Sequence, residues 1–195
     1  MPQKGRYAIR RAERDGVTTS RVGATEENMN IMFSLLSGTA SDAGFMVRPK
    51  SYYNSFWTEF AQRENGQFFF ASVDGEVVSA AYVAQLGTKA FYKDGASVRK
   101  KQAYGASHAL QWAIISWFAE NTTATTYDLM GSPPSNRVSD PTHHLHGVGK
   151  FKLSLSETVI DRVGTSDLVL KPGAYRRWRA YGYRVADKVA RMRRK

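Results

Sequence analysis

Lys89-Ala90-Phe91-Tyr92-Lys93-Asp94-Gly95-Ala96-Ser97, followed by Arg99 to Glu120, is the stretch around which the chain is organised. An apolar and aromatic run enters a glycine turn, then a basic loop of Arg99, Lys100 and Lys101, then a helix expected from about Gly105. Such a strand, turn and helix aim unpaired backbone N–H groups and cations at one point, which suits a phosphate-bearing ligand.

Working upstream, Gln67 to Val73 and Glu76 to Leu86 read as strands joined by the hairpin signal Asp74-Gly75. Pro49 disfavours helix at Arg48, and Ser51 is expected to cap a helix carrying Tyr52, Tyr53, Phe56, Trp57 and Phe60. Thr25 caps an earlier helix whose first turn holds Glu26 and Glu27, and whose apolar stripe is Met29, Met32, Phe33 and Leu36. Residues 6–15 read as a short charged helix ended by Gly16, and Val17 to Val22 as a brief strand.

Downstream, the helix over 105–120 is apolar nearly all round and is expected to be largely buried. Thr125 to Met130 reads as a strand, and Gly131 to Gly147 as a loop too long to be mere connection. Val159 to Val163 and Asp167 to Leu170 are expected as a last pair of strands, with a basic helix over 172–195 closing the chain. This order implies one α+β domain over residues 1–195, with a mixed, mostly antiparallel sheet of about six strands covered by helices.

A chain of 195 residues with 42% hydrophobic and 12% aromatic content can fill a core, which excludes a disordered chain. The sequence has no cysteine, so disulfides, thiolate nucleophiles and thiolate metal sites are excluded. No apolar run approaches membrane-spanning length and the first residues lead into no signal h-region; a cytoplasmic protein without stable membrane insertion is expected. The net charge of +11 points to a polyanionic partner. Both ends are basic: from Lys171 onward many arginines and lysines face only Asp187. Oligomeric state is not legible.

Taken in order, several segments resemble one family. Arg6-Tyr7-Ala8-Ile9-Arg10-Arg11-Ala12-Glu13-Arg14-Asp15-Gly16-Val17 is similar to the R-x-x-I-R-x-A-x-R-x-G-V helix of the Fem ligases (FemABX). Arg48-Pro49 with Tyr52-Tyr53 resembles their R-P-x-x-Y-Y segment. Tyr92-x-x-Gly95-Ala96-Ser97 with Leu110-Gln111-Trp112-Ala113, Tyr127-Asp128-Leu129-Met130-Gly131, Asp140-Pro141 with Gly147 and Phe151-Lys152, and Gly164-x-x-Asp167-Leu168-Val169-Leu170 resemble further family blocks. Fem ligases are tRNA-dependent aminoacyltransferases built from two GNAT-like domains, and the resemblance covers the second alone. It implies a GNAT-like fold and peptide-bond formation, with aminoacyl-tRNA as co-substrate and no cofactor. The acceptor implied is the amine of a small peptide-bearing molecule, a peptidoglycan precursor or a peptidyl nucleoside. Short relatives of the second kind act in uridyl-peptide antibiotic pathways of the pacidamycin type.

The resemblance also distributes roles. Lys152, beside Phe151, matches the family lysine and is expected near the ester or its oxyanion; without the match it reads as a surface lysine on a helix. Asp94, where the family usually has Tyr, and Asp128 are alternative groups to take or orient the amine proton, and each also reads as a turn-capping aspartate. Arg48, Tyr52, Tyr53 and Tyr92 are expected at the acceptor. Arg99, Lys100, Lys101, Arg176, Arg177 and Arg179 are expected at tRNA phosphates. Two rivals stand. Gln102-x-x-Gly105 with Ser107 partly matches the pyrophosphate loop of acetyl-CoA-dependent N-acetyltransferases, and a non-catalytic RNA-binding module would explain the charge. His143, His144 and His146 with Asp140 fit no zinc spacing, and no metal is expected.

Overall fold

Asp74 and Gly75 both take positive φ, 51° and 80°, the combination a two-residue hairpin requires. They join β2 (Gly66–Val73) to β3 (Glu76–Leu86). The computed structural model describes residues 1–98, 103–182, 184, 185 and 188. The chain divides into two compact units, Met1–Ile160 and Asp161–Lys195.

In the first unit, β1 (Thr18–Val22), β2, β3, β4 (Lys89–Ser97) and β5 (Thr126–Asp128) lie side by side in sequence order. All pairs are antiparallel except β4–β5, which is parallel. α1 (Gln3–Arg14) and α4 (Ala106–Asn121) cover one face, with Ala12, Leu110, Ile114 and Phe118 packed on Phe69, Ala81 and Val83. α2 (Glu26–Ala43) and α3 (Lys50–Gln62) cover the other, where Met32, Leu36, Tyr53 and Trp57 meet Phe68, Phe70 and Tyr82. Alternation along Phe68-Phe69-Phe70 feeds both layers, which is why an unbroken aromatic run belongs in a central strand. α5 (His146–Leu153) follows the long loop, in which Ser135–Arg137 forms a 3₁₀ turn.

Thr25 caps α2 as expected, its hydroxyl accepting from the Asn28 N–H at 3.2 Å. Ser51 caps nothing: α3 begins at Lys50, led in by Pro49 at φ −55° and without a side-chain cap. Pro at that point already presets the helical entry. Six of the sixteen residues of α4 are buried, fewer than an all-round apolar helix implies, and Trp112 is exposed. β5 is shorter than the expected Thr125–Met130, because the Asp128 carboxylate takes the Met130 N–H at 2.7 Å and Met130 turns to φ 63°. The last pair of expected strands does not form. Residues 159–163 and 167–169 have irregular backbone and Leu170 is a bend; Val163, Leu168 and Leu170 are almost fully exposed. Apolar β-branched composition makes a strand only where a neighbour completes the ladder, and the sheet has five strands among the described residues. In the second unit, α6 (Pro172–Arg177) runs into a wider helical turn over Trp178–Gly182.

Candidate active site

The end of β5 sets the geometry. β5 pairs with Lys89, Ala90 and Phe91 of β4 and then turns away. From Tyr92 to Ser97, β4 keeps β3 on one side, and its outer edge has no strand partner among the described residues. An edge of this kind offers backbone N–H and C=O groups to an extended ligand.

A β-bulge lies at the same place. Tyr82 faces Asp94 and Val83 faces Tyr92, so Lys93 is the extra residue. Before the bulge, Ala90 and Tyr92 pack on the α4 side while Phe91 packs on the α3 side. After it, Lys93 and Asp94 both point to α3. Lys93 Nζ sits 4.9 Å from the Phe56 ring centroid and 3.1 Å from Asp94 Oδ1, and Asp94 Oδ2 accepts from Trp57 Nε1 at 3.0 Å. The Asp94 side chain is only 9% exposed, so both oxygens are engaged inside the α3 layer. Tyr82 supports this corner by donating to the Trp57 carbonyl at 2.9 Å, and its phenol is pushed up by burial and by Asp94.

Lys152 stands on α5 and donates to the Gly131 carbonyl at 2.6 Å, just past the end of β5. Burial lowers its ammonium to about 8 against the upward pull of Asp128. Asp128 pairs with Lys89 at 2.6 Å. Lysine and aspartate are thus brought together at the mouth where β4 and β5 part. Phe151 lies edge-on to His108, ring centroids 4.9 Å apart, and His108 Nε2 is 2.8 Å from the Ser154 hydroxyl. This contact fastens the end of α5 to the first turn of α4. His108 is held below its ordinary value by burial and then by Lys4.

Arg48 is exposed and stacks its guanidinium 4.5 Å over Tyr52, while its N–H donates to the Tyr53 hydroxyl at 3.4 Å. Tyr53 is buried against Phe33 and Trp57, and Tyr52 is exposed. An open groove of about 570 Å³ runs along α3, lined by Ser51, Tyr52, Ser55, Phe56, Glu59 and Phe60. Tyr92 is not with this group. Its ring packs on the α4 side, its hydroxyl fills the space a Cβ at Gly95 would need, and burial raises its phenol strongly. Arg99, Lys100 and Lys101 lie outside the described residues. Arg176, Arg177 and Arg179 stand exposed on the helix of the second unit. Among the described residues no group of three His, Cys, Asp or Glu side chains is placed to hold a metal ion; His143 and His144 stack on each other at 4.6 Å.

Three residues escape a reading of the sequence. Lys93 is hidden because a bulge cannot be seen in an alternation pattern. His108 looks like one more residue on an apolar helix. Gln111 is the third: it is 1% exposed and accepts from the Tyr127 hydroxyl at 2.7 Å, tying α4 to β5. A polar residue inside so apolar a helix was the one signal for Gln111.

A five-stranded sheet that opens where its one parallel pair, β4 and β5, parts is the layout of an acyltransferase fold. The chain is a member of the family described as Acetyltransferase (GNAT) domain, whose profile matches residues 3–137. No curated protein matches the chain by sequence. Among solved structures the chain is similar to FemX, with TM-score 0.68 and 18% identity over 77% of this chain and 52% of that one. It therefore spans about half the length of FemX. It is also similar to an aminoglycoside acetyltransferase from an uncultured soil metagenomic sample, solved with sisomicin, at TM-score 0.56 and 14% identity over 81% and 99% of the two chains. A third likeness is to the C-terminal domain of a putative lysylphosphatidylglycerol synthetase from Agrobacterium fabrum, at TM-score 0.55 and 16% identity over 78% and 50%. Identities this low speak for the fold.

Proposed function

We propose that this domain moves an aminoacyl group from aminoacyl-tRNA to the amine of a small peptide-bearing acceptor, forming a peptide bond. The observation that carries the reading is Lys152: a half-buried ammonium near 8, anchored on Gly131 beside Asp128, at the mouth between β4 and β5. The ordered Fem-type motifs and the likeness in fold to FemX support it.

The chemistry needs few groups. The amine nitrogen attacks the ester carbonyl, the carbon–oxygen bond to the ribose breaks, and the amine's proton ends on the ribose hydroxyl. Lys152 has three N–H donors, one of them committed to Gly131. Its remaining donor capacity meets the oxyanion, and the leaving ribose oxygen takes its proton, which the attacking ammonium then restores. The open edge of β4 holds the acyl chain extended. Phe151, edge-on to His108, holds the end of α5 and with it Lys152 against α4. Arg48, with Tyr52 and the buried Tyr53, takes a phosphate or carboxylate of the acceptor at the start of the α3 groove. Asp94 holds the α3 layer and, through its place on the bulge, aligns the amine. Arg99, Lys100 and Lys101 take phosphates of the RNA.

Acetyl transfer from acetyl-CoA is the second reading, favoured by the family description and by the open edge of β4, which suits a pantetheine arm equally well. One experiment separates them. The protein is incubated with candidate peptide amines and either a pool of charged tRNAs or acetyl-CoA, and product masses are read. Aminoacyl adducts that depend on charged tRNA are expected. Acetyl adducts alone would replace the proposal with the second reading.

A further inference from the structure

α1 takes no part in the transfer step, yet it carries Lys4, Arg6, Arg10, Arg11 and Arg14 against Glu13 alone. Its aliphatic residues Ala8, Ile9 and Ala12 are buried, and its solvent side holds cations and Tyr7. Lys4, Tyr7 and Arg11 recur at steps of three and four and share one flank. That flank lies against the start of α4. The Arg11 guanidinium stacks 4.3 Å over the Tyr104 ring, and Lys4 is close enough to His108 to depress its basicity. Tyr7 and Tyr104 remain 48% and 41% exposed. One turn beyond His108 on α4, the Trp112 indole is 46% exposed.

This strip leads to the mouth between β4 and β5. His108 lies edge-on to Phe151 and 2.8 Å from the Ser154 hydroxyl, and Gly5 has no room for a side chain beneath the Ser154 carbonyl. Contact therefore passes from α1, through the start of α4, to the end of α5, which carries Lys152. Cations interleaved with exposed rings are what a single strand needs, phosphates meeting the cations and bases stacking on the rings. Asp15 pairs with Arg11 through Nε, and the two terminal nitrogens remain for a phosphate. A duplex keeps its bases stacked inside and would use the cations alone. A bilayer or an apolar protein face would find no aliphatic side chain on the outside of α1 to bury.

We propose that Lys4, Tyr7, Arg11, Tyr104 and Trp112 form a single-strand RNA site that leads the unpaired 3′ end of the donor to Lys152. The assignment rests on the aminoacyl-tRNA reading for the ester that the strand carries, while single-strand binding is measurable without it.

The test is fluorescence anisotropy of the full chain with two labelled probes, a single-stranded RNA ending in ACCA and a blunt RNA hairpin of the same length. Tighter binding of the single strand is expected, weakened about tenfold or more in the double variant Tyr104→Leu, Trp112→Leu. The variant Tyr104→Phe, Trp112→Phe keeps the rings and should bind like the parent, which separates stacking from damage to the fold. In Lys4→Gln, Arg11→Gln the slope of log affinity against log salt should become shallower by about 1.4, at ~0.7 per phosphate contact. Equal affinity for the two probes reduces the strip to bulk charge and overturns the proposal, as does no binding of either. Aminoacyl transfer by the Leu variant with an unchanged KM for charged tRNA also overturns it and leaves the donor reading standing. Ring-dependent binding of the single strand without any transfer from charged tRNA supports the site and removes the donor reading instead.

Discussion

Lys152 has its ammonium lowered to about 8, so it is mostly protonated at neutral pH and loses its charge as pH rises through that value. If the cation stabilises the oxyanion, the maximal rate should fall above about pH 8 in the parent, and that limb should vanish in Lys152→Arg, which stays charged. Lys152→Ala should cost about 10²–10³-fold in the maximal rate. Rate measurements across pH check both. Asp94→Asn keeps an acceptor for the Trp57 indole but leaves Lys93 without its counter-charge. A loss of roughly 1–3 kcal/mol in urea unfolding is expected. A rate that stays constant while stability falls would assign Asp94 to holding α3 and remove it from aligning the amine. Lys152 was legible only through motif resemblance, since a lysine next to the last residue of a helix carries no signal of its own. Its setting, the carbonyl of Gly131, belongs to a loop whose path alternation patterns do not encode.

Among the elements, the junction of α1 with α4 tolerates little. Gly105 caps α4 at φ 76°, and a Cβ there would lie 2.3 Å from the Ala8 carbonyl oxygen of α1. Gly105→Ala should therefore destabilise by about 2 kcal/mol or more, read as a shift in the denaturant midpoint at constant slope. Helix ends and the β2–β3 hairpin could be read directly, because Gly16, Thr25, Pro49 and Asp74-Gly75 act through local backbone preference. The pair of strands expected after Val159 could not be judged that way. Val159-Ile160 and Leu168-Val169-Leu170 have strand composition, but a strand exists by virtue of a neighbour, and neighbours are a property of the fold. The same limit hid where β5 stops, which a single Asx-type contact decides.

For the whole molecule, the division at Ile160/Asp161 predicts where the chain is cut. Brief trypsin treatment should cleave first after Arg162, in exposed irregular backbone, giving a product of residues 1–162 by mass spectrometry. First cuts after Lys89 or Lys93, within β4, would contradict the division. The fold class was legible in the order of elements, and the basic tail in composition, but charge alone does not say which anion the tail meets. The bulge at Lys93 has a consequence of its own for how such a chain tolerates change. Removing Lys93 alone would leave Val83 opposite Tyr92 and Tyr82 opposite Asp94, so the ladder becomes regular and no side chain changes face. A single-codon deletion at that position is therefore absorbed as the loss of a kink, whereas the same deletion in a regular stretch of ladder turns every side chain beyond it.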